Sequence, residues 1–277
     1  MALKVHHLSA GTMCPRGRRL INGDGGYLEH ARLCCHVLLL ETAAGLVLID
    51  TGFGVPDLSR PSRLPKAYQL QLAVHFDPVD AARSQIQSLG FDPEDVRHIV
   101  VTHLDPDHAG GLVDFPHATV HLHLREHDAA MARRSFIERQ RYLHMHWSHP
   151  VSWMTHETVG EAWHGFSSAR AIPELGDDLL LIPLHGHTHG HSGIAVHTSN
   201  GWLLHCGDAY FHHAELEAPG AGPGGLMLFE RMIAMDDKVR RTNQARLRTL
   251  HQGGDVRLLC SHDPVELSRC QAESAGA

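Results

Sequence analysis

Four apolar, strand-like segments of this sequence each run directly into residues of the types that bind metal ions. The first segment, residues 98–101, leads into the decapeptide THLDPDHAGG at 102–111. This decapeptide places four metal-binding side chains within six positions: His103, Asp105, Asp107 and His108. Neighbouring side chains of a strand point to opposite faces, so Asp107 and His108 can converge only in a loop, and the following glycine pair lets the backbone turn tightly. The decapeptide therefore predicts a metal centre at the end of a buried strand.

The other three segments repeat this arrangement in the second half of the chain. Each run is followed by a loop with a histidine or an aspartate. Residues 179–184 precede His187 in the loop LHGHTHGHSG, residues 202–206 precede Asp208, and residues 256–260 precede His262. Histidine nitrogen and carboxylate oxygen are common ligands of zinc and of other divalent metals. One strand end with such a residue is ordinary, whereas four in one chain predict a shared site.

The 27 histidines of the chain make most histidine pairs uninformative. His121 and His123 alternate with apolar residues, which predicts that they lie on the polar face of a strand. His144 and His146 lie in an irregular stretch and are interpreted as surface residues. The decapeptide differs from these pairs because it adds two carboxylates to its histidines.

Composition excludes several classes of protein. The net charge is −7 and no lysine- or arginine-rich block is present, which argues against a nucleic-acid partner. No apolar run reaches the roughly 18 residues of a membrane span, and the start MALKVHHLSAG lacks a signal-peptide core. The six cysteines include no C-x-x-C pair and do not form a disulfide framework of the secreted type. We therefore expect a cytoplasmic protein with no membrane partner.

Helical and strand patterns occur in both halves of the chain, which predicts one layered α/β domain over residues 1–277. Further strands are predicted at 36–40, 46–50, 119–124 and 193–198, and helices at 80–89, 125–140 and 229–250. Residues 141–172 show no clear period but contain three of the four tryptophans, so they are a candidate wall for an apolar pocket. The tail after 265 is expected to fray.

With these residues the chain resembles the metallo-β-lactamase fold superfamily of metal-dependent hydrolases. The hallmark of that family is H-x-H-x-D-H at a strand end, followed by a later histidine, a bridging aspartate and a final histidine. Here the series reads His103, Asp105, Asp107, His108, His187, Asp208 and His262. The early LIDTG at 48–52 and the lead-in FDPEDVRHIVVTH also match. The resemblance spans nearly the whole chain and implies a four-layer αββα sandwich with the site at the sheet edges.

Within the superfamily the chain looks most like the N-acyl homoserine lactonase group, because of its HAGG, G-H-T-x-G-H and D-A-Y stretches. The resemblance implies a hydrolase that opens a lactone or ester of an acyl-bearing small molecule, by attack of a hydroxide held between two metal ions. It gives Asp107 the role of proton shuttle to the leaving alkoxide. Tyr210 is the candidate donor to the substrate carbonyl, although its spacing from Asp208 is off by one residue. A homodimer is one assembly to expect.

By the same resemblance, the first metal ion would be held by His103, Asp105 and His187. The second would be held by Asp107, His108 and His262, with Asp208 bridging the two. Asp105 departs from the pattern, which usually has histidine there. Three carboxylates and one hydroxide would neutralise two divalent ions completely, whereas the usual site keeps one positive charge. We therefore expect two divalent ions, zinc first, with iron or manganese tolerated; alternatively, Asp105 misses the metal and the first site is weak.

Other functions share parts of this motif. A glyoxalase II-type thioesterase would need a basic patch, and a phosphodiesterase or RNA-processing nuclease more positive charge. Flavodiiron proteins carry a carboxylate at the position of Asp105 but need a flavin domain. A persulfide-dioxygenase-type oxidoreductase needs only one iron, and oxygen uptake with a thiol substrate would reveal it. A non-enzymatic metal-binding module is the remaining alternative.

Overall fold

Two six-stranded mixed sheets form the centre of the molecule in this computed structural model, which describes residues 3–157 and 159–275. The first sheet contains, in spatial order, β1 (Lys4–Met13), β2 (Leu33–Thr42), β3 (Gly45–Ile49), β4 (Val96–Val100), β5 (Thr119–His123) and β6 (Ser152–His156). The second contains β7 (Glu161–Trp163), β8 (Phe166–Ile172), β9 (Gly176–Pro183), β10 (Ser192–Thr198), β11 (Gly201–His205) and β12 (Val256–Leu259), again as neighbours in that order. Strands β3 to β6 run parallel, as do β11 and β12, and the other pairs are antiparallel.

Helices cover the outer face of each sheet. They are α1 (Arg18–Ile21), α2 (Val55–Ser59), α3 (Lys66–Leu72), α4 (Ala82–Ser88), α5 (Pro106–Ala109), α6 (Leu124–Ala132), α7 (Phe136–Arg141), α8 (Ala214–Glu217), α9 (Gly224–Ile233), α10 (Asp237–Gly253) and α11 (Pro264–Ala275). Ile86 of α4 and Ala130 of α6 pack on the first sheet, and Leu247 and Leu250 of α10 pack on the second. The predicted αββα sandwich is confirmed.

Strand β2 shows why the sheets lie in the middle. Its sequence LCCHVLLLET is apolar at successive positions, as expected for a strand buried on both faces. Leu39 packs with the helix-covered outer core, whereas Leu38 and Leu40 pack against Leu181 and Ile194 of the second sheet. Alternate side chains of one strand thus hold two separate layers together.

Part of the space between the sheets is filled by histidine instead of leucine. Nδ1 of His98 lies 2.9 Å from Nε2 of His121, and Nδ1 of His121 lies 3.1 Å from Nε2 of His156. We call these three residues the histidine row. His121 is fully buried and His123 nearly so, so the predicted polar face of this strand lies in the interior. The alternation identified two faces of the strand, but the face carrying histidine also lies in the interior.

Several other predictions are corrected by the structure. The predicted helix 125–140 is two helices, because Arg133 takes a left-handed conformation (φ +43°) at the end of α6. The predicted helix 229–250 is also two helices, since Ala234 is extended and the Asp236 side chain caps α10 by accepting from the Val239 amide. Residues 141–172 contain strands β6, β7 and β8, with residue 158 outside the described ranges.

The two chain ends are ordered within the described residues. Strand β1 was not predicted, and α11 replaces the expected frayed tail, with Leu267 and Cys270 buried. His146, interpreted from sequence as a surface residue, is fully buried with Nε2 at 2.9 Å from Oδ2 of Asp57. No helix in the described ranges is both long and apolar enough to cross a bilayer.

Candidate metal centre and active site

The loops that follow β4, β9, β11 and β12 meet at one edge of the sandwich. The Ser192 amide donates to the carbonyl of Thr102 at 3.0 Å, which joins the second sheet to the decapeptide of the first. The Ser261 amide donates to the carbonyl of Gly207 at 3.1 Å, which joins the loops after β11 and β12. All seven side chains predicted from sequence as metal ligands are buried in the resulting cluster: His103, Asp105, Asp107, His108, His187, Asp208 and His262.

Three of these side chains form the first half-site. Nε2 of His187 lies 3.1 Å from Oδ2 of Asp105, and Nε2 of His103 lies 3.4 Å from the same oxygen. Asp105 therefore presents one carboxylate oxygen to the same group as His103 and His187.

The second half-site is built in the same way by Asp107, His108 and His262. Oδ2 of Asp107 lies 3.4 Å from Nε2 of His262 and 3.8 Å from Nε2 of His108. Asp107 and His108 are neighbours in sequence, and they converge because both lie in the short helix α5 rather than in a strand.

Asp208 lies between the two half-sites and offers one oxygen to each. Its Oδ2 is 3.4 Å from Nε2 of His187 and 3.8 Å from Nε2 of His103. Its Oδ1 is 3.2 Å from Nε2 of both His108 and His262. A carboxylate placed in this way can bridge two cations.

The chemistry of the cluster fits two divalent ions. Nε2 of His103, Nε2 of His108 and Oδ1 of Asp208 are buried and have no hydrogen-bond partner among the described residues. Buried polar atoms rarely remain unpartnered in proteins, because losing water without a replacement is costly. These three atoms all point toward the centre of the cluster, where cations would satisfy them.

The second ring nitrogens of His103, His108 and His262 have outer partners, which fix these three rings, whereas Nδ1 of His187 has none among the described residues. Nδ1 of His262 lies 2.8 Å from the carbonyl of Cys34, and Nδ1 of His108 lies 2.8 Å from Oδ2 of Asp50. Asp50, in a left-handed conformation (φ +57°), also accepts from the Thr102 amide at 2.7 Å. A histidine that donates from Nδ1 keeps the Nε2 lone pair free for a metal ion, and such outer contacts orient ligands.

Glu126 is a further anchor that sequence reasoning missed. Its Oε1 accepts from the Leu104 amide at 3.1 Å, within the decapeptide. Its Oε2 accepts from the Thr188 hydroxyl at 2.7 Å and from the Gly190 amide at 2.9 Å, within the loop that carries His187. This buried carboxylate therefore fixes the two ligand loops relative to each other.

The charges in the cluster strongly shift the pKa values of several of its side chains. Burial would raise the pKa of Asp208, but His262, His108 and His187 hold that pKa well below its usual range. Burial would lower the pKa of His108, but the carboxylates of Asp208, Asp107 and Asp50 raise it well above its usual value. Asp208 is thus kept in the ionised form that binds metal.

Arg141 and Tyr68 also belong to the site, and neither was predicted. Nε of Arg141 lies 3.2 Å from Oδ1 of Asp105, and the Tyr68 hydroxyl donates to Oδ1 of Asp107 at 2.9 Å. Burial would raise the pKa of Asp105, but Arg141 and His103 hold it well below its usual range. Each of these two ligand carboxylates therefore turns Oδ2 to the cluster and has Oδ1 held from outside.

Tyr210, the tyrosine proposed from sequence as a carbonyl donor, lies elsewhere. It is fully buried, and its hydroxyl donates to Oε1 of Glu266 at 3.0 Å. It is not among the described residues that line the cavity beside the cluster, whereas its neighbour Phe211 is. The backbone after Asp208 turns the tyrosine ring into the core, so the structure does not bring Tyr210 to the predicted site.

An apolar cavity of about 360 Å³ opens beside the cluster. Asp105, Asp107, Asp208 and His262 form part of its wall, together with Tyr68. The apolar walls come mainly from α7 and α9: Phe136, Ile137, Phe229, Met232 and Ile233. The tryptophans of 141–172 are not among its described lining residues, and that segment contributes Arg141 rather than the expected apolar wall.

Comparisons with known proteins agree with this geometry. The family model described as the metallo-beta-lactamase superfamily matches residues 33–239. The chain is 40% identical to a probable metallo-hydrolase of Mycobacterium bovis over 95% of this chain and 81% of that protein. It is 29% identical to the N-acyl homoserine lactonase AttM of Agrobacterium fabrum over 95% of this chain and 94% of that protein. 

A similar solved structure is that of a B. thuringiensis AiiA mutant with N-decanoyl-L-homoserine bound at the active site. It superposes with a TM-score of 0.70 at 20% identity and covers 98% of this chain and 97% of its own. The fold, the buried ligand cluster and these relatives support a metal-dependent hydrolase. The chain belongs to the metallo-β-lactamase superfamily.

Proposed function

We propose that this protein hydrolyses a lactone or ester that carries an apolar acyl group, as an N-acyl homoserine lactonase does. The observation that carries the proposal is Asp208, which offers one oxygen to each half-site directly beside an apolar cavity. The lactonase names among the relatives support the same reaction class.

Two divalent ions, zinc first, would be held by His103, Asp105 and His187 on one side and by Asp107, His108 and His262 on the other, with Asp208 between them. When bound, such ions supply a water of lowered pKa and positive charge for the carbonyl oxygen of the substrate. Iron or manganese in place of zinc remains part of the proposal, because the three carboxylates make a hard donor set.

The residues around the cluster would bind and orient the substrate. Exposed Phe136, Ile137 and Met232 line the cavity and would receive an apolar acyl chain. Asp107 would carry a proton to the leaving alkoxide, since Oδ1 faces the Tyr68 hydroxyl and can exchange a proton on the cavity side. Tyr68 would hold this carboxylate in one orientation during the transfer.

The charge of the cavity favours a neutral substrate over an anionic one. Arg141 is the single lysine or arginine among the described lining residues, and Asp105 already faces its guanidinium. A glutathione thioester or a phosphodiester would find no uncommitted lysine or arginine among the described lining residues to pair with its negative charge. The cavity therefore supports an acyl lactone better than either of those substrates.

The test is turnover of a short-chain and a long-chain N-acyl homoserine lactone by zinc-reconstituted protein, followed by proton release. We expect turnover of both lactones, with the long chain preferred, and its loss in Asp107→Asn. Asp255→Asn, which changes an exposed carboxylate in a turn, is the matched control and should retain turnover. Absence of turnover in protein that holds two zinc ions would contradict the proposal and direct the search to other esters and to oxygen uptake.

A further inference from the structure

Asp105 stands where the family pattern has histidine, and it faces Arg141 on a different element of the fold, helix α7. We infer that Arg141 and Asp105 act as a pair, in which Arg141 fixes Asp105 as a single-oxygen metal ligand and supplies the positive charge that a histidine ligand would have left at the centre. Arg141 is thus a positioning residue, and this role rests on the proposed two-metal site.

The geometry of Arg141 is fixed on three sides. It is the last residue of α7 and its side chain is only 8% exposed. Nε faces Oδ1 of Asp105 at 3.2 Å, one terminal nitrogen donates to the carbonyl of His187 at 2.7 Å, and the other donates to the carbonyl of Ile233 at 2.7 Å. A planar guanidinium held at all three nitrogens cannot swing away from the carboxylate.

This contact divides the two oxygens of Asp105 between two tasks. Oδ2 is the atom that lies 3.1 Å from Nε2 of His187 and 3.4 Å from Nε2 of His103, at the first half-site. Oδ1 lies on the opposite side and is buried, with Arg141 as the cation beside it. The carboxylate is therefore limited to one metal-facing oxygen, as an imidazole is limited to one nitrogen.

Charge gives the second reason for the pairing. With Asp105, Asp107 and Asp208, the centre holds three carboxylates, which together with one hydroxide neutralise two divalent ions. The guanidinium of Arg141 stays ionised at any ordinary pH and lies against Asp105 in a buried place, where its field is weakly screened. Counting Arg141, the centre regains one positive charge.

The inference predicts that Arg141 matters to metal binding only while residue 105 is an aspartate. The experiment is a double-mutant cycle of Arg141→Gln and Asp105→His, with zinc affinity measured by competition against a chromophoric chelator. In the parent, Arg141→Gln should weaken the first-site zinc by about 10- to 100-fold, as the loss of outer contacts to ligands typically does. In the Asp105→His background, the same change should alter zinc affinity by less than about threefold.

Equal losses in both backgrounds would overturn the pairing, since they would mean that Arg141 only braces the carbonyls of His187 and Ile233. No loss in the parent would overturn it as well. Arg141→Lys keeps the charge but not the planar fork, so its zinc affinity should lie between those of the parent and Arg141→Gln. The charge role has its own readout, the pKa of metal-bound water in the pH profile of turnover: Arg141→Gln should raise that pKa and Arg141→Lys should not, and equal profiles would overturn the charge role.

The cycle also separates this inference from the proposed reaction. Zinc affinity is measured without a substrate, so a protein that binds two zinc ions through the pair but fails on every lactone retains the pairing and loses only the proposed activity. Circular dichroism and the thermal unfolding midpoint of each zinc-free variant serve as folding controls. Should Arg141→Gln fail to fold, the comparison of Arg141→Lys in the two backgrounds carries the test: a loss confined to the aspartate background supports the pair, and an equal loss refutes it.

Discussion

The protein contains two groups of closely spaced histidines, the histidine row and the cluster of candidate metal ligands (the metal cluster), and they differ in the presence of carboxylates. In the metal cluster, Asp208 lies 3.2 Å from the nearest nitrogens of His108 and His262. In the histidine row, His121 contacts the rings of His98 and His156. A neutral imidazole has one donor and one acceptor, so neighbouring rings can satisfy each other without a cation. Histidines that contact only each other are thus explained by packing. Histidines interleaved with aspartates leave polar atoms unpartnered, and bound cations would satisfy those atoms.

The presence or absence of carboxylates also explains why the pKa values of His121 and His108 are shifted in opposite directions. Burial together with His156 and His98 lowers the pKa of His121 to about 3. Burial also acts on His108, but three carboxylates raise its pKa well above the usual value. The rings of the histidine row therefore stay neutral, whereas in the cluster carboxylates raise the pKa of His108 and His262 and burial lowers that of His187 to about 4.

The largest expected effect comes from removing the carboxylate shared by both half-sites. Asp208→Asn should lower turnover at least about 10³-fold and reduce the bound zinc, because the ions lose a carboxylate that would hold them, and with them goes the positive charge that would polarise the carbonyl. His121→Gln, which keeps a donor and an acceptor in the row, should retain both zinc ions and activity. Zinc content by mass spectrometry and initial rates would check both variants. Equal zinc loss in the two would remove the distinction between the groups.

Metal removal should produce the next largest effect. A ligand that binds only the folded state stabilises it by about 4 kcal/mol at a thousand times its dissociation constant. We expect chelation to lower the thermal unfolding midpoint of the parent and of His121→Gln by a similar number of degrees. In Asp208→Asn chelation should change the midpoint little. A metal-independent midpoint in the parent would mean that the cluster is satisfied without cations.

The histidine row should contribute to the loss of stability in acid. The unfolded chain protonates His121 near its ordinary pKa of 6.5, whereas the folded ring resists protonation until a pH of about 3. The unfolded state therefore binds more protons between these values, so the free energy of unfolding falls as the pH drops from about 6.5 to about 3. In zinc-free protein, His121→Gln should flatten this dependence in urea unfolding at pH 7, 5.5 and 4.5. Parallel curves for parent and variant would contradict the assignment.

The comparison also shows which features of the site could be predicted from the sequence. His103 and His262 were predicted because each lies just after a strand, and Asp107 because it shares the decapeptide with His103; strand ends in this fold lie at one edge. Arg141 and Tyr68 lie on helices α7 and α3, remote in sequence from every ligand, and no local pattern marks them. The neutral charge of the predicted centre was the one available sign that a cation should be sought.

Parts of the fold could also be predicted from local sequence patterns, whereas features that depend on tertiary contacts could not. Apolar runs identified β2 and β4, and the resemblance supplied the αββα layers. Alternation in β5 could not tell which face is buried, because the histidine row lies between two sheets that only the tertiary structure brings together. Helix breaks at Arg133 and Asp236 depend on a left-handed residue and on a side-chain cap, which period counting does not detect.

The smallest expected effect separates two tyrosines, one in the site and one in the core. Tyr68→Phe removes the donor to Oδ1 of Asp107 and should lower kcat about tenfold, because the carboxylate loses the contact that orients it. Tyr210→Phe should leave kcat within about twofold and lower the free energy of unfolding by about 1 kcal/mol, since it removes only a hydrogen bond to Glu266. Burial and Asp263 raise the pKa of Glu266 to about 7, so the stability difference should grow above that pH as the carboxylate ionises. Steady-state rates and urea unfolding at pH 6 and 8 would measure both effects, and a large loss of kcat in Tyr210→Phe would restore that tyrosine to the reaction.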